Sequence, residues 1–148
     1  MYKRVMNPEL KLQVGVKALV ENSNGELLFL RKNGEISKTS NFWDIPGGRI
    51  EVGQSLRDNL IREIKEETQL DLSETQELID MQDIIKPEKG IHVVRLTYHI
   101  KLEKEYDEVV LDAEHLEFVW MNGLEMKNNP EVDPYLIETL EKFYEKNN

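Results

Sequence analysis

The sequence predicts a single α/β domain over residues 1–148, with helices packed on a mixed, partly antiparallel sheet. Three patterns carry this expectation. Val14, Val16, Ala18 and Val20 repeat with the two-residue period of a strand burying one face, and Leu27-Leu28-Phe29-Leu30 returns shortly after it. Leu56, Leu60 and Ile64 recur every four residues, with Ile61 widening the stripe, as on an amphipathic helix. Leu136, Ile137, Leu140 and Phe143 repeat the helical pattern between Pro134 and Tyr144.

The elements follow in order. Asn22-Ser23-Asn24-Gly25 joins the first two strands, its Asn-Gly pair supplying the positive φ of a tight turn, and the second strand ends at Arg31-Lys32. Asn33 to Ser40 reads as an exposed loop, Phe42 to Ile45 as extended chain, and Pro46-Gly47-Gly48 as a break in regular structure. Ser55 is placed to cap the helix that follows, which should end near Gln69. Strands are expected around Leu78 to Ile85 and Ile91 to Leu102, joined by a turn at Lys86 to Gly90. In the second of them Val93, Arg95, Thr97 and His99 alternate with Val94, Leu96, Tyr98 and Ile100, giving two unlike faces. An acidic loop from Glu103 to Glu108, a short strand at Glu117 to Met121 and the final helix complete the reading.

Composition narrows the functional classes. Lys plus Arg total 19 and Asp plus Glu 29, a formal charge of −10 that repels polymeric nucleic acid and anionic membrane at long range. A phosphate-bearing small molecule stays open, because a bound divalent cation reverses the local potential. With no cysteine there is no disulfide framework, thiolate zinc site or cysteine nucleophile, and His92, His99 and His115 are too scattered for a histidine-rich metal cluster. Met1 to Leu10 lacks the apolar run of a signal peptide and no later run spans a bilayer, so the expectation is a cytoplasmic protein. A homodimer is not derivable from the chain.

One segment carries chemistry: Gly47-Gly48-Arg49-Ile50-Glu51-Val52-Gly53-Gln54, then the helix with Arg62-Glu63-Ile64-Lys65-Glu66-Glu67. Glu63, Glu66 and Glu67 project from one helix face within an arc of about 100°. Like charges at that spacing cost about 0.2–0.5 kcal/mol per pair, a penalty that a cation reverses. Oxygen donors without sulfur or clustered imidazole select a hard ion, Mg2+ or Mn2+. An acidic helix face is ordinarily just solvated; the glycine turn ahead of it, where backbone can approach a ligand closely, raises the functional reading.

Gly48 to Leu70 resembles the signature of the Nudix hydrolases, which runs glycine, five residues, Glu, seven residues, then Arg-Glu-apolar-x-Glu-Glu-x-Gly-apolar. Gly48, Arg62, Glu63, Ile64, Glu66, Glu67 and Leu70 stand at their places, and Trp43-Asp44-Ile45-Pro46-Gly47 resembles the usual approach to the motif. Gln54 stands where the family has Glu, and Gln69 where it has Gly. The resemblance implies an α/β/α sandwich of the Nudix type and hydrolysis of a nucleoside diphosphate linked to another group, using Mg2+ or Mn2+. It implies Glu63, Glu66 and Glu67 as catalytic metal ligands, joined by the carbonyl of Gly47, and gives Arg62 the part of fixing carboxylate geometry. Gln54 loses a charge and puts its share of proton transfer or metal affinity in question. Gln69 would cost about 1–2 kcal/mol in a left-handed helix end, so a different helix end is open.

Glu114, in a loop before the strand containing Trp120, is the candidate for a further metal carboxylate. Arg31, Lys32 and Arg49 are candidates for substrate phosphate, with Arg31 and Arg49 the two leading ones. Trp43 is expected in the core, Phe42 in the core or on a base, and Asp133 or Asn129 against a base edge. The leading functional expectation is hydrolysis of a nucleoside triphosphate or related small nucleotide. ADP-ribose or nucleotide-sugar hydrolysis, and a catalytically silent nucleotide-binding domain, stand beside it; the charge disfavours an RNA-end hydrolase.

Overall fold

Strands β1 (Lys11–Glu21), β2 (Leu27–Lys32), β3 (Trp43–Asp44), β4 (Gly47–Arg49), β5 (Glu77–Lys86), β6 (Ile91–Lys101) and β7 (His115–Met121) form one seven-stranded mixed sheet. Its order is β3-β2-β1-β6-β5, with β4 beside β1 and β7 beside β2. Helices α1 (Gly34–Ser37), α2 (Leu56–Thr68), α3 (Gly123–Lys127) and α4 (Pro134–Lys146) complete the chain. The structure, a computed structural model, describes residues 9–37, 41–72, 77–102 and 108–146. The expected acidic loop lies outside them except for Glu108, as does the end of the loop expected after Asn33.

β1 organises the sheet because both its faces are buried. Val16, Ala18 and Val20 enter a core with Leu60 and Ile64 of α2, while Leu19 enters a second core with Leu136, Leu140 and Phe143 of α4. Helices thus cover both faces of the sheet, an α/β/α sandwich, as the sequence implied. β6 runs parallel to β1 from Lys11↔Ile91 to Glu21↔Lys101. Its even positions Leu96, Tyr98 and Ile100 join the α2 core, so the two faces read from alternation are real.

β1 and β2 meet only at Glu21↔Leu27 and then diverge. β4 fills the gap, pairing Gly47 with Lys17, Gly48 with Val16 and Arg49 with Gly15. The glycines expected to interrupt regular structure are therefore strand residues. The reason is steric: a Cβ on Gly47 would lie 2.1 Å from the Val16 carbonyl oxygen, and its φ of 139° suits glycine. Other departures are local. A four-residue α1 occupies part of the expected loop, α3 was not foreseen, β7 begins two residues early at His115, and Pro87–Lys89 forms a 3-10 turn.

Ser55 caps α2, its hydroxyl accepting the Asp58 backbone N–H at 3.1 Å. At the other end Gln69 keeps the left-handed conformation, φ 65°, with its N–H bonded to the Lys65 carbonyl at 2.9 Å. The left-handed helix end forms without glycine, held by Lys65 Nζ on the Gln69 carbonyl and by the Thr68 hydroxyl, which accepts the Leu70 N–H. Gln69→Gly is expected to raise stability by about 1 kcal/mol in urea unfolding, because it relieves the left-handed strain.

Candidate active site

The N-terminal half of β1, the adjoining segments of β4, β5 and β6, and the α2 face bearing Glu63 and Glu67 enclose a cavity of about 770 Å³. That is ample for a nucleotide-sized ligand. Odd-numbered residues of the central strands form its floor: Gly15 and Lys17 on β1, Ile91, Val93 and Arg95 on β6. The same alternation that buries Leu19 in the α4 core delivers Lys17 to the cavity one repeat earlier.

Glu67 is 6% exposed and accepts the Gly47 backbone N–H at 3.1 Å through Oε2. Burial pushes its carboxyl up to about 8 against the opposing pull of Lys17 and of the Gly47 N–H, and Glu63 and Asp112 push the same way as burial. Glu63 is half-buried beside it and is also raised, by burial first, with Arg62 opposing. Gly48 is small for a reason, since a Cβ there would lie 2.7 Å from Glu63 Oε2. Gly48→Ala should displace Glu63 and lower kcat by about 10²-fold while leaving the melting temperature within a few degrees.

Arg62 organises the outer side of this group. Its guanidinium donates to Gln54 Oε1 at 3.2 Å, Glu66 Oε1 at 2.9 Å, Asn59 Oδ1 at 2.8 Å and Glu63 Oε1 at 3.2 Å. The pairing role implied for Arg62 is thus visible in its contacts. Gln54 meets Arg62 with a neutral amide oxygen and stays off the cavity lining. Buried Asn59, which sequence reasoning missed, ties the helix to the glycine segment: Oδ1 also accepts the Glu51 N–H and Nδ2 donates to the Arg49 carbonyl. A polar residue within the apolar stripe of α2 was the available signal.

The candidates do not all converge. Glu63, Glu67, Gly47, Glu114 and Arg49 line the cavity, whereas Glu66 is exposed and drawn to Arg62. Among the described residues no three acidic or imidazole groups gather at one point. The donor set still fits a hard cation, because the carboxylates turned to the cavity offer only oxygen and Glu67 is buried.

Arg31 is a correction. It lies outside the lining, donates to Glu117 at 3.4 Å, Glu131 at 2.6 Å and the Asn41 carbonyl, and covers the Trp43 ring at 5.9 Å. Adjacent strand residues point to opposite faces, so it is Lys32 that reaches the cavity. Trp43 packs at the edge of the α4 core, as expected; Asp133 lines the cavity, Asn129 does not, and His115 does, with Nδ1 2.7 Å from Asp112 Oδ1.

Among the cavity residues the sequence reading did not single out are three charged ones that meet in the floor: Lys17, Asp44 and Arg95. Asp44 is 2% exposed and sits among Arg95 at 3.0 Å, Lys17 at 3.2 Å and Lys32 at 3.4 Å. Burial works to raise its carboxyl, and the three cations together overcome that and hold it well below the ordinary value. Burial lowers the Lys17 ammonium despite Asp44. Charged residues inside apolar strand runs were the only hint.

The family described as NUDIX domain matches residues 11–143. The chain belongs to the Nudix family. It is 41% identical over 59 residues to Nudix hydrolase 5 of Arabidopsis thaliana, covering 40% of this chain and 20% of that one. It is 28% identical over 111 residues to an ADP-ribose pyrophosphatase of Methanocaldococcus jannaschii, covering 75% and 63%. In these matches the Nudix chain spans less than two thirds of each curated relative. The MutT protein of Methanosarcina mazei Go1 shares the fold with a TM-score of 0.84 at 23% identity, over 95% of this chain and 99% of that one.

Proposed function

We propose that this Nudix domain hydrolyses the diphosphate linkage of a nucleoside triphosphate or related nucleoside diphosphate derivative, with Mg2+ or Mn2+ held by Glu63, Glu67, Gly47 and Glu114, while Glu66, engaged by Arg62, stays outside the cavity lining. One observation carries the proposal: the buried Glu67 and its neighbour Glu63 sit against Gly47 and Gly48 at a nucleotide-sized cavity rich in cations. The name of the pyrophosphatase relative supports a nucleoside diphosphate derivative as substrate.

When bound, the metal would neutralise diphosphate oxygens and lower the cost of forming hydroxide from water. The residues supply the rest. Arg62 restrains Glu63 and Glu66, Asn59 fixes the glycine segment, and Arg49 offers a guanidinium to phosphate. One cavity carboxylate takes the proton of the attacking water as the new P–O bond forms, and the bridging P–O bond breaks to release the second phosphate-bearing product.

Gln54 lends no support to a silent binding domain, since its amide serves Arg62 and lies off the cavity lining. Purified protein given Mg2+ or Mn2+ and a panel of nucleoside triphosphates, ADP-ribose and nucleotide sugars should release a nucleoside monophosphate or its derivative. EDTA should abolish release. Binding without turnover across the panel would instead establish a binding module.

A further inference from the structure

The cavity continues well past the carboxylates, and its far end has a chemistry of its own. Lys17 faces Gly47 across the β1–β4 pairing, while Lys11, six residues along β1, lies beside Ile91, which pairs with Lys86. At about 3.3 Å per residue the two ends are about 20 Å apart along the strands. Between them Ile84, Ile91 and Val93 supply an apolar floor.

Lys86 and Lys89 flank this end, and neither has an ion-pair partner among the described residues. In a chain with 29 carboxylate side chains, two lysines at one cavity mouth with no ion pair among the described residues are not what average composition supplies. Their scaffold is fixed. The Lys86 ammonium lies 5.6 Å from the Tyr135 ring centroid, and Tyr135 is pinned by Gln82 Nε2 on its carbonyl at 2.8 Å and by its own N–H to Asp133 Oδ1 at 2.9 Å. Lys89 belongs to the 3-10 turn closed by the Gly90 N–H on Pro87 and fastened to β1 by the Lys11 N–H on Gly90.

Midway along the same floor, between this end and the carboxylates, lies a buried donor without an acceptor. Arg95, 5% exposed, binds Asp44 but leaves Nε with no hydrogen-bond partner. A buried guanidinium N–H without an acceptor is costly, and an acceptor on a ligand in the cavity would satisfy it.

The geometry points to a second anionic subsite at Lys86 and Lys89, which selects nucleoside diphosphate derivatives that carry another phosphate remote from the scissile linkage. Tyr135 and the Ile84, Ile91 and Val93 floor receive the intervening ring, and Arg95 Nε donates to it. This rests on the nucleotide reading above and adds the substrate class.

The test is calorimetric, with Mg2+ present and in the Glu67→Gln background, so that the cation remains while hydrolysis is slowed. The probes are ADP-ribose, its form phosphorylated at the adenosine 2′-hydroxyl, and its form phosphorylated at the terminal ribose 1″ position. At least one phosphorylated form should bind about tenfold more tightly than ADP-ribose, or about 1.4 kcal/mol. In Lys86→Ala/Lys89→Ala that gain should fall below about twofold with ADP-ribose affinity unchanged, and Lys86→Arg/Lys89→Arg should retain it. Equal affinity for all three probes, absence of binding by any of them, or a gain that survives the double alanine variant overturns the inference. Discrimination without hydrolysis by the parent protein in Mg2+ or Mn2+ would sink the hydrolase reading and leave the subsite standing; hydrolysis without discrimination would do the reverse.

Discussion

Glu67→Gln is expected to lower kcat/KM by about 10²–10⁴-fold while the protein stays folded, with a melting temperature equal to or above that of the parent. The two halves of this result come from one property. Glu67 is held against the Gly47 N–H in a site where burial disfavours its charge, so the carboxylate is retained against stability. An amide oxygen can accept the same N–H without the desolvation cost. Loss of activity with unchanged or improved thermal stability separates a functional carboxylate from a structural one. Undiminished turnover in the variant would remove Glu67 from the chemistry. Steady-state kinetics and thermal unfolding on the same preparations make the measurement.

Asp44→Ala should be the most destabilising change at the site, costing about 3–5 kcal/mol in urea unfolding at neutral pH. It removes the one buried carboxylate shared by Arg95, Lys17 and Lys32, leaving cations in the cavity floor without their partner. Asp133, 3.7 Å from Arg95, offers partial relief, so adding Asp133→Ala should cost more than it does in the parent. The pH dependence has a definite sign. Asp44 is held well below its ordinary 3.8, so its stabilisation is present above that value and is lost as pH falls through the lower folded value. Asp44→Asn should therefore show a flatter loss of stability in that acid window. An identical acid profile in parent and variant would show that the cations do not depend on this carboxylate.

Much of the architecture was legible because period and burial coincide. Val16, Ala18 and Val20 did mark a buried face, Leu60 and Ile64 did face it, and Ser55 capped their helix. Elements failed where a contact distant in sequence decides the backbone. Gly47 and Gly48 read as a break and became a strand because β1 passes too close for any Cβ at Gly47. Gln69 kept a left-handed end because Lys65 and Thr68 hold it, a compensation no propensity includes.

The site divided in the same way. Glu63, Glu66 and Glu67 could be placed on one helix face by angle alone, and a single helix turn contains everything that inference needs. Which of them reach the cavity depends on Arg62, whose guanidinium takes Glu66, and on Gly47, whose N–H takes Glu67. Arg31 and Lys32 are indistinguishable as neighbouring cations until strand pairing assigns them opposite faces.

By itself the sequence determined the absence of cysteine chemistry, the spacing of the helix carboxylates and the family, since those are properties of residue identity and local spacing. Only the tertiary structure decided that Lys17, Asp44 and Arg95 share one floor and that Lys86 and Lys89 stand at its far end. The physical reason is register: side chains from β1, β3, β5 and β6 become neighbours through backbone pairing, and pairing across many residues leaves no trace in the spacing of any one strand. The net charge of −10 likewise hid a cavity lined with cations, because a sum over the chain says nothing about where the charges meet.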